Sequence, residues 1–471
     1  MILYDIFDGI GRTVESAGQA VSGVFEPSLR LGVTGLSRSG KTVFITSLLA
    51  NLMDRERMVQ FQGASSGAIQ TAFLQPQPDD TVPRFDYEAH LAALGGTQPR
   101  WPNSTRSTSE LRLSLKVQPT GLLGSFSGPR TLHLDIVDYP GEWLLDVGLL
   151  EKSYADWSKD SLARAAGRPA AQTYLDLAAA TEGNARLDEP VAQELARTYT
   201  VYLKDIRGQG FSDCTPGRFL LPGDLEGSPV LTFAPLPPVD AAPRKSLYRE
   251  FERRYEVYKS RVVKPFFRDH FARIDRQIVL VDALGAIHSG PQAVEDLRVA
   301  MRDILGAFRP GQNSWLASVF LGRRVEKILF AATKADHLHH TQHPQLTGIM
   351  EALLRDARDR ADFAGASTMA MSMASLRATV EDTLMHDGSE LNVVRGRLAE
   401  TGKQAALFPG DLPEDPMEIL APAREGKSDW LGADYEIMNF APARLEGRTQ
   451  GGLPHIRLDR AAEFLIGDRV R

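Results

Sequence analysis

The stretch from Gly35 to Thr42 constrains the fold of this 471-residue chain more than any other and reads GLSRSGKT. It matches the pattern G-x-x-x-x-G-K-[ST] in full, whose glycines let successive backbone N–H groups point at phosphate oxygens. The apolar run 29–34 predicts a strand before it, and apolar side chains at helical spacing predict a helix over 42–53. This order predicts an α/β fold with a phosphate-binding loop; a chance glycine-rich turn is the alternative.

Each kind of group in this loop has an expected role in binding a nucleotide. Lys41 is expected to supply a positive charge to the β and γ phosphates of a nucleotide, and the Thr42 hydroxyl to ligate Mg²⁺. The helix that begins here directs its N-terminal partial charge at the anion. The predicted phosphate contacts are Gly35, Ser37, Arg38, Ser39, Gly40, Lys41, Thr42 and Val43.

A second motif lies at 134–142 and reads LDIVDYPGE. An aspartate at the end of a buried strand can bind Mg²⁺ through water, and Asp138 has that place. The N–H of Gly141 is predicted to contact the γ phosphate and sense its presence. Glu142 is a catalytic candidate that could polarise the attacking water, although its charge also repels the phosphate. The alternative is that Glu142 faces solvent or a basic partner.

A third motif, from Thr333 to Asp336, reads TKAD and follows the apolar run 325–332. The Asp336 carboxylate can accept hydrogen bonds from both N1–H and the 2-amino group of guanine, because an ionised carboxylate only accepts. The stem of Lys334 is predicted to lie along the base plane. A polar turn after a strand is the alternative. Together the three motifs predict GTP or GDP as the ligand.

The remaining catalytic groups are expected between the first motif and the second. Thr105 and Thr108 are candidates for the second hydroxyl that ligates Mg²⁺, and Thr105 is also counted among the catalytic residues. Arg38, Arg100 and Arg106 are candidates for neutralising transition-state charge. The alternative is that these arginines are ordinary surface residues.

Four histidines, His337, His339, His340 and His343, follow the third motif closely. Their spacing could hold a transition metal ion. Because no cysteine lies near them, we favour a histidine-rich loop that faces solvent.

The three motifs resemble those of the GTPase superfamily of P-loop proteins. LDIVDYPGE is similar to LDILDTAGQ of small Ras-like GTPases, and TKAD resembles their [NT]-K-x-D. The segment 374–376 resembles their S-A-[KL] element, which implies that Ser375 and Leu376 contact the guanine. Glu142 stands in the place of their water-orienting glutamine, so the resemblance leaves the rate of hydrolysis open.

Over residues 35–379 the chain resembles the YcjX family of bacterial proteins more closely. The segments GLSRSGKT, WPNSTRSTSE, DYPGEW, TKADH and ASLRAT carry this resemblance. It implies a GTP-binding P-loop protein that acts in stress, with a link to envelope stress and to an inner-membrane partner, YcjF.

Four regions are predicted along the chain. They are an N-terminal amphipathic helix (1–27), a P-loop domain (28–142 with 276–380), a helical insert (143–275) and a C-terminal extension (381–471). Strands that alternate with helices predict a mostly parallel sheet covered by helices. An antiparallel pair at 111–117 and 131–137 is expected at its edge, and the proline-rich stretch 58–109 is expected to be mainly loop. Acidic side chains favour an N-terminal helix packed on its own domain over a membrane anchor.

Further elements are predicted from apolar periodicity. The additional strands are 277–282, 325–332 and 368–374, and the additional helices are 149–165, 170–180, 190–207, 245–274, 291–308 and 345–361.

Composition narrows the class of protein. A net charge of −6 gives no general attraction to nucleic acid, and a single cysteine, Cys214, allows no internal disulfide. No apolar run reaches the ~20 residues that span a bilayer. We therefore expect a cytoplasmic protein, with the surface of the inner membrane as a second location. The sequence leaves the oligomeric state open.

The predicted activity is hydrolysis of GTP to GDP and phosphate by a magnesium-dependent switch protein. Two alternatives remain open. One is a nucleotide-dependent scaffold with negligible hydrolysis, and the other is an ATPase or small-molecule kinase, against which the TKAD motif counts.

Overall fold

The computed structural model describes residues 26–36, 38–103, 107–118, 128–269, 273–307, 325–358, 366–427, 437–444 and 452–471. All but the last two residues of the predicted N-terminal region lie outside the described residues. So do three of the candidate site residues, Ser37, Thr105 and Arg106.

A seven-stranded sheet forms the centre of the protein, with strand order β2-β3-β4-β1-β5-β6-β7. Its strands are β1 Ser28–Gly35, β2 Ile69–Gln75, β3 Ser109–Val117, β4 Arg130–Asp138, β5 Arg276–Val281, β6 Lys327–Ala332 and β7 Ser367–Ser372. Strands β4, β1, β5, β6 and β7 run parallel, whereas β2 with β3 and β3 with β4 pair antiparallel. The predicted α/β class and each predicted strand are confirmed. The antiparallel pair is not at the edge, however, because β2 pairs outside it.

Helices surround this sheet. In chain order those described are α1 Lys41–Met53, α2 Gln62–Ser65, α3 Tyr87–Gly95, α4 Gly141–Leu145, α5 Tyr154–Ala166, α6 Gln172–Ala180, α7 Glu189–Gly208, α8 Gly217–Leu220, α9 Leu247–Tyr258, α10 Lys264–Asp269, α11 Ala283–Ser289, α12 Pro291–Ala307, α13 His343–Arg358, α14 Met417–Glu425 and α15 Leu458–Ile466. Within the described ranges, no helix has both the length and the apolar character needed to cross a membrane.

The sheet separates the two largest hydrophobic clusters of the described residues, because successive side chains of a strand point to opposite faces. On β5, Ile278 and Leu280 point to one cluster, and Val279 and Val281 to the other. The first cluster contains residues of α1 and α15, and the second contains residues of α12, α13 and the insert. The insert and one face of the sheet therefore share a continuous hydrophobic core.

The insert contains the predicted helices as α5 to α7 and α9 to α10. Its centre is aromatic, and the ring of Trp157 stacks on that of Tyr255 at a centroid distance of 5.2 Å. Helix α5 begins later than predicted because the Ser153 hydroxyl caps it, accepting from the N–H of Asp156 at 3.1 Å. The single helix predicted at the end of the insert is instead α9 and α10, joined by a wider helical turn at Lys259–Val263.

The region beyond β7 contains a second sheet that the sequence analysis missed. Its strands β8 Thr379–His386, β9 Ser389–Arg397 and β10 Gln404–Leu407 pair antiparallel in the order β10-β9-β8. A two-residue turn, Asp387 and Gly388, joins β8 to β9, and both residues have positive φ, 49° and 80°. Asp-Gly is a favoured pair for such a hairpin turn, so this signal was present in the sequence.

Candidate nucleotide-binding site

The loop between β1 and α1 has the backbone that its glycines predict. Gly40 has φ 82° and is the cap residue of α1, a conformation that favours glycine. The N–H of Ser39 donates to the Leu36 carbonyl at 3.1 Å, which closes the turn. A Cβ on Gly35 would lie 2.1 Å from the Ser39 Oγ and 2.8 Å from the Leu280 carbonyl oxygen. Only glycine therefore fits where β1 ends.

The first turn of α1 provides a set of donors. Helical N–H groups at this position have no acceptor within the helix, so they are available to an anion. The Lys41 ammonium lies over the loop, 3.3 Å from the Gly35 carbonyl oxygen. The buried Ser39 hydroxyl has no hydrogen-bond partner within the described residues. This donor set, with one cation, suits phosphate oxygens.

Strand register brings the second motif beside this loop. Val33 pairs with Asp138 across β1 and β4, so the carboxylate lies at the carboxyl end of the parallel strands next to Gly35. Thr42 and Asp138 are both buried, at 7% and 1% exposure, and both offer oxygen ligands. Oxygen donors of this type fit Mg²⁺.

Gly141 lies directly against the loop. A Cβ at this position would approach the Gly35 carbonyl oxygen to 2.0 Å and the Leu36 nitrogen to 3.2 Å. Any larger residue would therefore displace either the loop or α4, which begins at Gly141. This contact couples the loop mechanically to the helix that follows the second motif.

One cavity of about 460 Å³ joins the first motif to the third. Its volume falls in the range of small-molecule sites. From the predicted site it is lined by Arg38, Ser39, Gly40, Lys41, Thr42, Val43, Thr333, Lys334, Asp336, Ser375 and Leu376. Residues that the sequence analysis did not assign to the site complete it: Trp101, Pro102, Asn103, His337, Ala374, Ala399, Glu400, Asn439 and Phe440.

The third motif is held rigidly at the end of β6. Asp336 is 4% exposed, and its Oδ2 accepts from the N–H of Ala378 at 2.8 Å. The Thr379 hydroxyl donates to the Asp336 carbonyl. Lys334 has φ 61° and forms an ion pair with Asp282, which directly follows β5. The Asp336 carboxylate therefore retains acceptor capacity toward the cavity at a fixed position.

Residues from the C-terminal part of the chain form or support another part of the cavity wall. Ala374 exchanges two backbone hydrogen bonds with Ile456, of 3.0 and 2.8 Å, which positions the segment 374–376. The Trp101 indole donates to the Phe440 carbonyl at 2.7 Å. The Phe440 ring lies edge-on to His337 at a centroid distance of 5.3 Å. Aromatic residues from distant parts of the chain thus enclose the end of the cavity that contains Asp336.

Comparison with known proteins agrees with this geometry. Residues 29–470 match the YcjX-like family, DUF463. The chain belongs to this family. It is 37% identical over 458 residues to a protein of Escherichia coli strain K12 named "Ras-like GTPase YcjX", covering 94% of this chain and 96% of that protein. It is 34% identical over 469 residues to a protein of the same name from Shewanella oneidensis strain MR-1, covering 94% of both.

In this family member the residue after Gly141 contacts the insert. Glu142 is buried, and its Oε1 lies 2.5 Å from Nη2 of Arg207 on α7. Of the two interpretations of Glu142, the structure therefore places the carboxylate against a basic partner from its own chain. Its role in orienting water stays a prediction.

Three further contacts, made by Trp143 and Asp146, attach the start of the insert to α8 and α9. The Arg218 guanidinium lies over the Trp143 ring, 3.2 Å from its centroid. Asp146 Oδ1 accepts from the N–H of Gly217 at 2.8 Å, and the Tyr258 hydroxyl donates to Oδ2. Burial raises the pKa of Asp146 to about 7, against the opposing effect of these hydrogen bonds. The segment that begins at Gly141 is therefore embedded in the insert rather than exposed.

The cavity lining does not include the candidates Asp138, Gly141, Glu142, Thr108 and Arg100, and Thr105 and Arg106 lie outside the described residues. Thr108 precedes β3, is half-buried and does not line the cavity. The backbone N–H of Arg100 donates to the Ala93 carbonyl at 2.8 Å. Arg38 lines the cavity and has φ 61°. Its place beside the loop keeps it a candidate for neutralising charge.

The four histidines do not form one metal-binding group. His337 is buried against Phe440, and His343 is buried with its Nε2–H donating to the Ala335 carbonyl at 2.8 Å. Burial lowers the pKa of both, so they are neutral at pH 7. His339 and His340 lie together elsewhere. The prediction of a histidine-rich loop that faces solvent was also wrong, because His337 and His343 are buried.

Proposed function

We propose that this protein binds GTP with Mg²⁺ and hydrolyses it to GDP and phosphate. One observation carries the proposal: a single cavity contains both the phosphate-binding loop and the Asp336 carboxylate. The names of the E. coli and S. oneidensis relatives, which call them Ras-like GTPases, support the same choice of nucleotide.

Each group of the proposed site then has a stated role, including Asp138 and Gly141, which lie outside the cavity lining. The first-turn N–H groups of α1 and the Lys41 ammonium hold the β and γ phosphates. The Thr42 hydroxyl and the Asp138 carboxylate hold Mg²⁺, which neutralises phosphate charge when bound. Asp336 accepts from the guanine edge, and the stem of Lys334 lies along the base plane. Gly141 brings its N–H toward the γ phosphate.

Hydrolysis requires a group that orients water at the γ phosphate. Glu142 follows Gly141 directly, but its carboxylate is paired with Arg207, 2.5 Å away. Pairing reduces the repulsion between this carboxylate and the phosphate, because an adjacent cation screens it. We propose that Glu142 orients the attacking water while Arg207 holds the Glu142 carboxylate in position.

Single-turnover phosphate release tests the activity. The full chain loaded with GTP and Mg²⁺ should release phosphate, and Thr42→Ala should release it at least tenfold more slowly. Equal release from ATP would instead favour the ATPase interpretation. Tight GTP binding without any release of phosphate would favour the scaffold.

We also propose that the insert responds to the γ phosphate. Helix α4 begins at Gly141 and is attached to the insert through the contacts of Glu142, Trp143 and Asp146. A Cβ on Gly217 would lie 2.1 Å from the Glu142 carbonyl oxygen, so the backbones of α8 and Glu142 are packed directly against each other. Interfaces packed this closely transmit small displacements.

Hydrogen exchange should therefore differ between the GDP state and a non-hydrolysable GTP analogue in Glu189–Gly208 and Gly217–Leu220. Arg207→Gln should reduce this difference without changing the affinity for GDP, because it removes one link to the γ phosphate, which GDP lacks. Arg197→Gln is the matched control, since Arg197 lies on the same helix and pairs only at the surface with Glu194. Identical exchange in the two nucleotide states would refute the coupling.

A further inference from the structure

Three side chains whose atoms could ligate a metal ion lie together beside the third motif, where His339 and His340 meet Glu381 of β8. His340 Nδ1 is 2.8 Å from Glu381 Oε2, and His339 Nε2 is 3.7 Å from the same oxygen. The centroids of the two imidazole rings are 4.3 Å apart. One potential ligand atom from each residue lies within 4.8 Å of the other two.

The spacing of these atoms suits a tetrahedral ion. Bonds of about 2.0–2.1 Å place tetrahedral ligand atoms about 3.3 Å apart. The distances of 2.8 and 3.7 Å lie on either side of this value, so small rotations of the side chains suffice. Two imidazole nitrogens and one carboxylate oxygen are a ligand set that zinc uses in sites that keep one position open.

Glu381 supplies the carboxylate oxygen of this ligand set. Arg377 lies 3.5 Å from Oε1, which leaves Oε2 directed at the two histidines.

The ring of His339 has a supporting partner on its other nitrogen. Its Nδ1 lies 3.0 Å from the Thr341 hydroxyl oxygen. A histidine that binds metal through Nε2 carries a proton on Nδ1 and donates it to such an acceptor. Thr341 is therefore placed to orient the ring for ligation once Nδ1 carries the proton, and the 3.5 Å contact in which the Thr341 N–H donates to Nδ1 is then given up.

We propose that His339, His340 and Glu381 bind a divalent transition metal ion, with Zn²⁺ as the best fit. The ion would link the loop that follows the third motif to β8. Close by, the N–H of Ala378, the residue before β8, already donates to Asp336 Oδ2 at 2.8 Å. A second link a few residues away holds the Asp336 carboxylate in place, so metal slows nucleotide release. This consequence, unlike the metal site itself, rests on the proposed guanine site.

Cobalt binding tests the site without any nucleotide. The untagged full chain titrated with Co²⁺ should develop visible absorption of tetrahedral cobalt, which Zn²⁺ then removes. Glu381→Gln and His340→Ala should each weaken Co²⁺ binding at least tenfold. His386→Ala is the control and should bind as the parent does, because His386 lies on the same strand but is 72% exposed and 3.7 Å from Asp387. Absence of the absorption, or equal binding by Glu381→Gln, would overturn the site.

Release of a fluorescent GDP analogue tests the consequence. With Mg²⁺ in excess, adding Zn²⁺ should slow release at least threefold in the parent and in His386→Ala, but not in Glu381→Gln. Metal binding with an unchanged release rate would overturn the link to Asp336 and leave the metal site standing. Failure to bind any guanine nucleotide would contradict the proposed function instead, while the cobalt result still decides the metal site.

Discussion

Replacing Lys41 with Ala is expected to abolish tight nucleotide binding. The Lys41 ammonium lies at the first turn of α1, 3.3 Å from the Gly35 carbonyl oxygen, inside the cavity of the proposed site. A hydrogen bond to a charged group contributes about 1.5–3 kcal/mol, and the sheltered loop places this one near the upper end. The affinity for GTP should therefore fall roughly a hundredfold.

Equilibrium titration with a fluorescent GTP analogue measures this loss. Lys116→Ala is the matched control, because Lys116 is an exposed lysine on β3 away from the cavity. Its affinity should equal that of the parent. Thermal unfolding without nucleotide should be unchanged in both variants, since neither side chain is part of the core. A Lys41→Ala protein that binds GTP like the parent would remove the phosphate role of the loop.

Replacing Asp336 with Asn is expected to change the preferred base from guanine to xanthine. In the parent, Oδ2 accepts from the N–H of Ala378, and the remaining acceptor capacity faces the cavity. An Asn that keeps its oxygen on Ala378 turns its amide NH₂ toward the base. The N1–H and 2-amino donors of guanine would then face the amide donor of the Asn, whereas the 2-carbonyl oxygen of xanthine accepts a hydrogen bond from it. An unpaired buried polar group costs about 1–3 kcal/mol, so GTP should bind at least roughly tenfold more weakly.

Competition among GTP, xanthosine triphosphate and ATP measures the change. The parent should prefer GTP over ATP at least tenfold, and Asp336→Asn should bind xanthosine triphosphate better than the parent does. The two proteins should retain the same requirement for Lys41, because the phosphate contacts are separate from the base contacts. An unchanged base preference would contradict the guanine assignment and favour an ATPase.

The sequence predicted the parts of the site that depend on local backbone chemistry. The loop from Gly35 to Thr42 is specified by glycines and by its place between a strand and a helix. The parallel strands were visible as apolar runs, because strands covered on both faces need such runs. The register itself was not predicted; in the structure the pairing of β1 with β4 places Asp138 beside the loop.

The sequence could not predict contacts between segments that are far apart along the chain. No local pattern records that Arg207 meets Glu142, or that Trp101 meets Phe440, since each pair is made by tertiary packing. Strand β2 was missed because only its first residue is fully buried and its alternation is weak. The hairpin of β8 and β9 was missed although the Asp-Gly pair of its turn is a recognised hairpin signal in the sequence.

The cavity wall made by Asn439 and Phe440 also bears on how the protein is made. Ribosomes complete the chain from the N-terminus, so the Gly35 loop emerges long before this wall exists; at roughly 5–20 residues per second the delay is tens of seconds. Helix α15, which covers the α1 face of the sheet, is translated later still. During that interval the part of this face that α15 covers in the finished protein is exposed. We therefore expect stable capture of nucleotide to mark a completed molecule.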